Sequence, residues 1–273
     1  MQPDAIALPT PAPRRKKAAL WRRTQEFWLP VVVLALLVLA WEIACRAFGV
    51  PAYLLPSPSA IWGETWAMRM QVLTHAGATL TTVMVGFLVS VAISLPLAVA
   101  LTSSRLIANA IYPILILTQS IPKVALAPIL VVVLGANELP RIVITFLVAF
   151  FPLVLSCAAG LLAVPPELLE LGRACRASKW QELVRIRLPF AMPIVFSGLK
   201  AAIALAVVGA VVAEFVNADR GLGYLIVSAT AFFKVPLAWG ALILLSFMGI
   251  VLFQIVVAVE RILVPWSNDN GKL

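Results

Sequence analysis

Charge is scarce in this chain, and so is nearly every residue type that does chemistry in water. Asp, Glu, Lys and Arg together make up 12% of its 273 residues, against about 25% in soluble globular domains. There is one histidine, His75, so no histidine metal set can be assembled, and one histidine beside scattered serines does not make a catalytic set. The three cysteines, Cys45, Cys157 and Cys175, form no CxxC pair; neither a structural disulfide nor a zinc site is expected, and no metal ligand set is assigned. A phosphate-binding P-loop is absent as well. What fills the space is apolar: 62% of residues are hydrophobic and the mean hydropathy is +1.03. A water-soluble enzyme, a nucleic-acid module and a disordered chain are all excluded. Membrane spans of about 20 residues each remain, and the length accommodates about six with a tail and loops.

The 21 basic residues outnumber the 12 acidic ones, giving +9. In a soluble chain that excess would suggest nucleic acid. Here it is read as topology, because Lys and Arg collect in cytoplasmic loops. Residues 1–28 form a basic, proline-rich tail (Arg14, Arg15, Lys16, Lys17, Arg22, Arg23), expected to be cytoplasmic. Its Arg22–Arg23 pair is no export signal, because the apolar run behind it continues too far. Spans are expected at 29–48, 74–101, 106–135, 142–164, 190–215 and 237–262, within a transmembrane domain of residues 29–263. The third is bent by Pro113, Pro122 and Pro128. Pro51, Pro56 and Pro58 break the chain after span 1, and a short helix carrying Trp62 and Trp66 suits the membrane interface. Residues 137–141 are read as a short loop, and the stretch between span 5 and Pro236 as another. The tail 264–273 then lies on the same side as the N-terminus. Arg173, Arg176, Lys179, Arg185 and Arg187 in the 165–187 connection also fall on that side, as the positive-inside rule requires.

That connection, PPELLELGRACRASKWQELVRIRLP, is far longer than a simple joint needs. Two prolines can open a helix, acidic residues follow, and basic and apolar residues then alternate at helical spacing. It is read as a helical hairpin built to be held by a partner; the plainer alternative is an amphipathic helix resting on anionic lipid. Span 5 carries small residues at four-residue steps, Gly198, Ala202, Ala206 and Ala210, ending at Glu214, and span 2 does the same with Gly86, Ser90, Ser94, Ala98 and Thr102. Small seams allow close helix contact in lipid. Ordinary packing and the lining of a pathway are both open for span 5. Glu214, at the end of that seam, and Lys123, at the break in span 3, are ionisable groups in or beside spans, which are costly and therefore candidates for a gate or solute path. Glu214 could instead reach water from its span end, and Lys123 could snorkel to the surface, attract an anionic solute or pair with a carboxylate. His75 is read as an interface residue rather than a base. Asp219, Arg220, Gly221 and Gly223 lack the spacing of a nucleotide loop and suggest a tight turn.

Glu170–Leu171–Gly172, then Arg176, then Ile186–Arg187–Leu188–Pro189 resembles the E-A-A…G…I-x-L-P loop of binding-protein-dependent ABC importer permeases. LPSPSAIW, QSIPKVALAPILVVVLGANELPRI and VVAEFVNADRGLGYLI extend the likeness to the nitrate/sulfonate/taurine branch, which includes permeases for thiamine precursors and riboflavin. The resemblance implies an all-α polytopic fold of the type I importer-permease (MetI-like) kind with about six spans. It implies a coupling loop at 165–189, with Glu170, Leu171, Gly172, Arg173, Ala174, Arg176, Ala177, Ser178, Ile186, Leu188 and Pro189 against an ATPase subunit. It implies a second copy of the chain, with span 5 (Gly198, Ala202, Ala206, Ala210, Glu214) lining the path at their interface, and Asp219, Arg220, Gly221 and Gly223 facing a solute-binding protein. ATP and Mg would sit on the partner; this chain would bind no cofactor and no nucleic acid, and would not itself be an enzyme. The solute would be a sulfonate-, taurine- or nitrate-like anion or a vitamin-precursor heterocycle, crossing the inner membrane by alternating access. Two departures stand out. Leu171–Gly172 replaces Ala-Ala, and Arg176 replaces a glycine whose left-handed turn costs a side-chain residue about 1–2 kcal/mol. A slightly shifted turn is expected. An ion-gradient-driven carrier is the alternative reading, and it would need buried ionisable groups along its path.

Overall fold

The structure is a computed structural model, described for residues 16–266. Its elements are α1 (Lys16–Ala47), α2 (Pro58–Ala67), α3 (Arg69–Ser103), α4 (Arg105–Gln119), a 3-10 turn (Lys123–Leu126), α5 (Ala127–Leu134), α6 (Leu139–Leu162), α7 (Pro166–Ala174), α8 (Lys179–Glu182), a π-helical segment (Leu183–Arg187), α9 (Leu188–Val216), α10 (Leu222–Ala231) and α11 (Val235–Leu263). No strand occurs among the described residues. Helices are what lipid demands, since each backbone N–H and C=O is satisfied within its own segment.

Five helices are long and apolar enough to span, and a sixth span is formed if Leu106–Gln119 and Lys123–Leu134, bent by 84°, are taken as one. The bend falls where the prolines put it. Pro113 is carried inside α4, whereas Pro122 precedes the 3-10 turn and Pro128 sits in the first turn of α5. The first helix begins at Lys16, and its span, Trp28–Ala47, falls where 29–48 was expected. One expectation needs correction. The stretch before Pro236, read as loop, contains α10, whose ten residues are too few to span and therefore left no span-length signal.

The chain divides into two compact units, residues 1–60 and 61–273. In the first, the turn after α1 folds back on that helix: Glu42 accepts from the Ser59 hydroxyl (2.7 Å), the Ser59 N–H (3.0 Å) and Arg46 Nε (2.6 Å). In the second, α6 is packed between α3 and α9. Small residues set the spacing. A Cβ on Gly86 would lie 2.5 Å from Thr145 Cγ2, and one on Gly198 would lie 2.5 Å from Ser156 Cβ. Ser90 and Ser94 donate to the Phe146 and Phe150 carbonyls of α6, at 3.1 and 3.4 Å. Both small-residue seams therefore face α6. Gly198, Ala202, Ala206 and Ala210 are all buried within the subunit, where close helix packing uses them.

Candidate functional sites

Two constellations stand out, one at each end of this bundle. At the end carrying the 163–187 connection, Pro165 and Pro166 open α7, and Arg187 closes the loop against the bundle, paired with Glu182 (2.7 Å) and donating to the Leu161 carbonyl of α6 (3.4 Å). The hairpin is real, and its turn is not shifted. Arg176 itself adopts φ +57°. The Ala177 N–H donates to the Gly172 carbonyl (3.0 Å) and the Arg176 N–H to the Arg173 carbonyl (2.9 Å), the paired bonds of a Schellman helix end with arginine in the left-handed place usually taken by glycine. Ser178 then caps α8, its hydroxyl accepting from the Gln181 N–H while the Gln181 side chain accepts from the Ser178 N–H.

Gly172 is buried against Ile186: a Cβ there would lie 2.7 Å from Ile186 Cδ1, so the two ends of the predicted motif meet. Glu170, Leu171, Arg173, Ala174, Arg176, Ser178 and Leu188 are exposed, Ala177 and Pro189 partly so. Leu168, Leu171, Cys175, Arg185 and Ile186 line a cavity of about 380 Å³ in this face. Because contacts hold Arg176 in a strained conformation, Arg176→Gly should stabilise the loop by about 1 kcal/mol. Slower proteolysis within residues 170–180, with transport retained, is the expected result; lost transport in an assembled complex would contradict it.

At the opposite end, Glu214 closes α9. It is 2% exposed and does not reach water. Its Oε2 accepts from the Thr79 hydroxyl (3.0 Å) and the Gly223 N–H (2.8 Å), Thr79 Oγ accepts from the Leu222 N–H (2.7 Å), and His75 Nδ1 accepts from the Gly221 N–H (3.1 Å). Three N–H groups at the start of α10, which has no side-chain cap of its own, are thus satisfied by α3 and α9. The carboxylate also complements the positive end of that helix. Gly221, at φ +127°, and Gly223 are both fitted against Glu214; a Cβ on Gly221 would overlap the carboxylate. These two glycines therefore belong to the buried cap, correcting their placement on a partner-facing loop, whereas Asp219 and Arg220 are exposed. His75 is an acceptor in the cap and rests beside Tyr224, ring centroids 5.7 Å apart.

Arg141, expected in a loop, lies in the first turn of α6 and is 4% exposed. It donates to the Arg220 carbonyl (3.0 Å) and lies 3.7 Å from Asp219 and 4.0 Å from Glu138, while Arg220 returns an ion pair to Glu138. It also attracts the Glu214 carboxylate. Thr79 and Arg141, which complete this buried cluster, were not singled out in the sequence because partners of theirs lie far away along the chain, and neither sits in a motif. Lys123, in the 3-10 turn, places Nζ 4.9 Å from the centre of the Phe151 ring. Among the described residues no cluster of His, Cys, Asp and Glu could hold a metal.

A bundle of spanning helices joined by an exposed two-helix loop defines a polytopic membrane protein. The chain belongs to the family of binding-protein-dependent transport system inner membrane components, whose match covers residues 92–268. It is 35% identical to the riboflavin transport system permease protein of Chloroflexus aurantiacus, over 88% of this chain and 90% of that one. It is 33% identical to the formylaminopyrimidine transport permease protein of Halalkalibacterium halodurans, over 91% and 100%. The nitrate import permease protein of a Synechocystis strain is 29% identical over 93% and 95%. A chain of the MetNI methionine ABC transporter, solved in inward-facing conformations, shares the fold with a TM-score of 0.64 at 20% identity, over 71% of this chain and 97% of that one. The protein is the permease subunit of an ABC importer, a multi-pass inner-membrane protein.

Proposed function

We propose that two copies of this chain form the path for a small solute delivered by an external binding protein, and that a separate ATPase drives it by gripping residues 165–189. The observation that carries this reading is the loop. Gly172 packed on Ile186 and the Schellman turn at Arg176 make a stiff exposed projection, suited to passing force rather than merely joining spans. The loop, with Glu170 on its exposed face, and both termini lie on the cytoplasmic side in this reading, and ATP and Mg stay on the partner. Asp219 and Arg220 face the binding protein. A second copy is supported by an outward stripe on α9, Ser197, Ala201, Ala204 and Val208, exposed at alternating four- and three-residue steps and small enough for close approach. The solute is an anion or heterocycle of the kinds named for the relatives.

The test is purification of the tagged chain in mild detergent from its own host, followed by mass spectrometry and reconstitution. A P-loop ATPase in stoichiometric amount, and uptake requiring both ATP and the binding protein, are expected. An intact, folded chain that comes down alone and transports under an ion gradient would sink the reading.

A further inference from the structure

Charge inside the spans of residues 61–273 is neutralised almost everywhere. Lys200 pairs with Glu260 at 3.0 Å, Arg141 lies among Asp219, Glu138 and the Arg220 carbonyl, and Glu214 is held by Thr79 and Gly223. Lys123 differs. No carboxylate among the described residues lies within ion-pair distance of it, and its neighbour is the face of Phe151, which attracts a cation without cancelling its charge.

Depth makes this consequential. Phe151 stands midway along the 24 residues of α6, so the ammonium lies near half depth. Either surface of the ~30 Å hydrocarbon layer is then roughly 15 Å away. A lysine stem of four carbons reaches only about 6 Å. Snorkelling to the surface is therefore out of reach. The backbone beside it gives a second, independent sign. Ser120, Ile121 and Pro122 connect α4 to the 3-10 turn outside any helix, and all three are exposed, as is Gln119. Non-helical backbone at membrane depth persists only where protein covers it or water reaches it, never against lipid.

We infer that the break between α4 and α5 lines the water-filled solute path, and that Lys123 is the cation that meets an acidic group of the solute there. This rests on the permease reading and narrows its substrate class to solutes carrying a negative charge, such as a sulfonate, carboxylate or phosphate. Phe151 holds the ammonium in place without quenching it, which an acidic partner would do.

The experiment uses the transporter with its copurifying ATPase in membrane vesicles. Cys175→Ser removes the exposed thiol, Cys45 and Cys157 being buried, and Val124→Cys places a reporter beside Lys123 at an exposed position. The probes are two membrane-impermeant methanethiosulfonates, one ending in a sulfonate and one in a quaternary ammonium. Both should label the reporter, the anionic one about tenfold faster, as a local positive potential dictates. Lys123→Arg should keep that ratio and Lys123→Gln should bring it near one. A reporter that labels only after the chain is unfolded in detergent would overturn the inference, since lipid or a second copy would then cover the break. A ratio unchanged in Lys123→Gln would also overturn it. Copurification of the ATPase is scored on the same preparation, so failure of the permease reading registers separately.

Discussion

Replacing Glu214 by alanine is expected to lower stability by about 3–5 kcal/mol, seen as a fall of roughly 10 °C in the melting temperature of the detergent-solubilised protein. Alanine leaves the Thr79 hydroxyl and the Gly223 N–H without their acceptor, each worth about 1–3 kcal/mol when buried. It also removes a negative charge that attracts the buried Arg141. Glu214→Gln separates shape from charge. Its carbonyl oxygen can accept both bonds, but its amide falls where Glu214 Oε1 has no hydrogen-bond partner, so a loss of about 1–3 kcal/mol, smaller than that of alanine, is expected. ATP-driven uptake should vanish in the alanine variant and survive in part in the glutamine variant. Equal melting temperatures for the two would show that the cap does not hold α10.

Replacing Gly172 by arginine should have the largest effect on transport with the least on folding. The site lies between α7 and the π-helical segment, away from the packed seams of α3, α6 and α9, so the melting temperature should move by only a few degrees. The side chain has nowhere to go while Ile186 stays in place, and the two halves of the loop must separate. Recovery of the ATPase with the tagged chain should fall at least about tenfold, as expected when the centre of an interface is disrupted. Uptake should be lost with it. Gly172→Ala is the graded control: Ile186 Cδ1 is the far end of a flexible side chain and can rotate away, so most binding should persist. Undiminished recovery with arginine would mean that the partner does not grip this face.

The spans were legible because lipid imposes a simple rule, a long apolar run for each crossing, and the prolines marked the one bend. The hairpin was legible too, because a local pattern of prolines, acidic and basic residues writes it. The limits have physical causes. Arg176 in a left-handed conformation contradicts its own preference, and only the completed pair of turn bonds shows why it stays there. Four-residue spacing along span 5 showed that a seam exists but not which way it faces; the neighbour it meets, α6, decides that. The cap joins Thr79 to Glu214 across 135 positions of sequence, a distance no periodicity spans. His75 looked bland for the same reason, its partner being a backbone N–H far along the chain.

The stretch from Lys179 to Val216 is helical without interruption, 38 residues through α8, the π-helical segment and α9. Lys200 ties it to α11 part way along, through Glu260. With the tie as fulcrum, the arm toward the loop is about 30 Å and the arm toward Glu214 about 20 Å. A stiff lever of those proportions turns a 3 Å displacement at the loop into about 2 Å at the cap. The bonds there, at 2.8 and 3.0 Å, do not survive such a stretch. Under the coupling proposed above, a push at the loop would reach the α10 cap through α9 together with α6, on which its small-residue seam is packed.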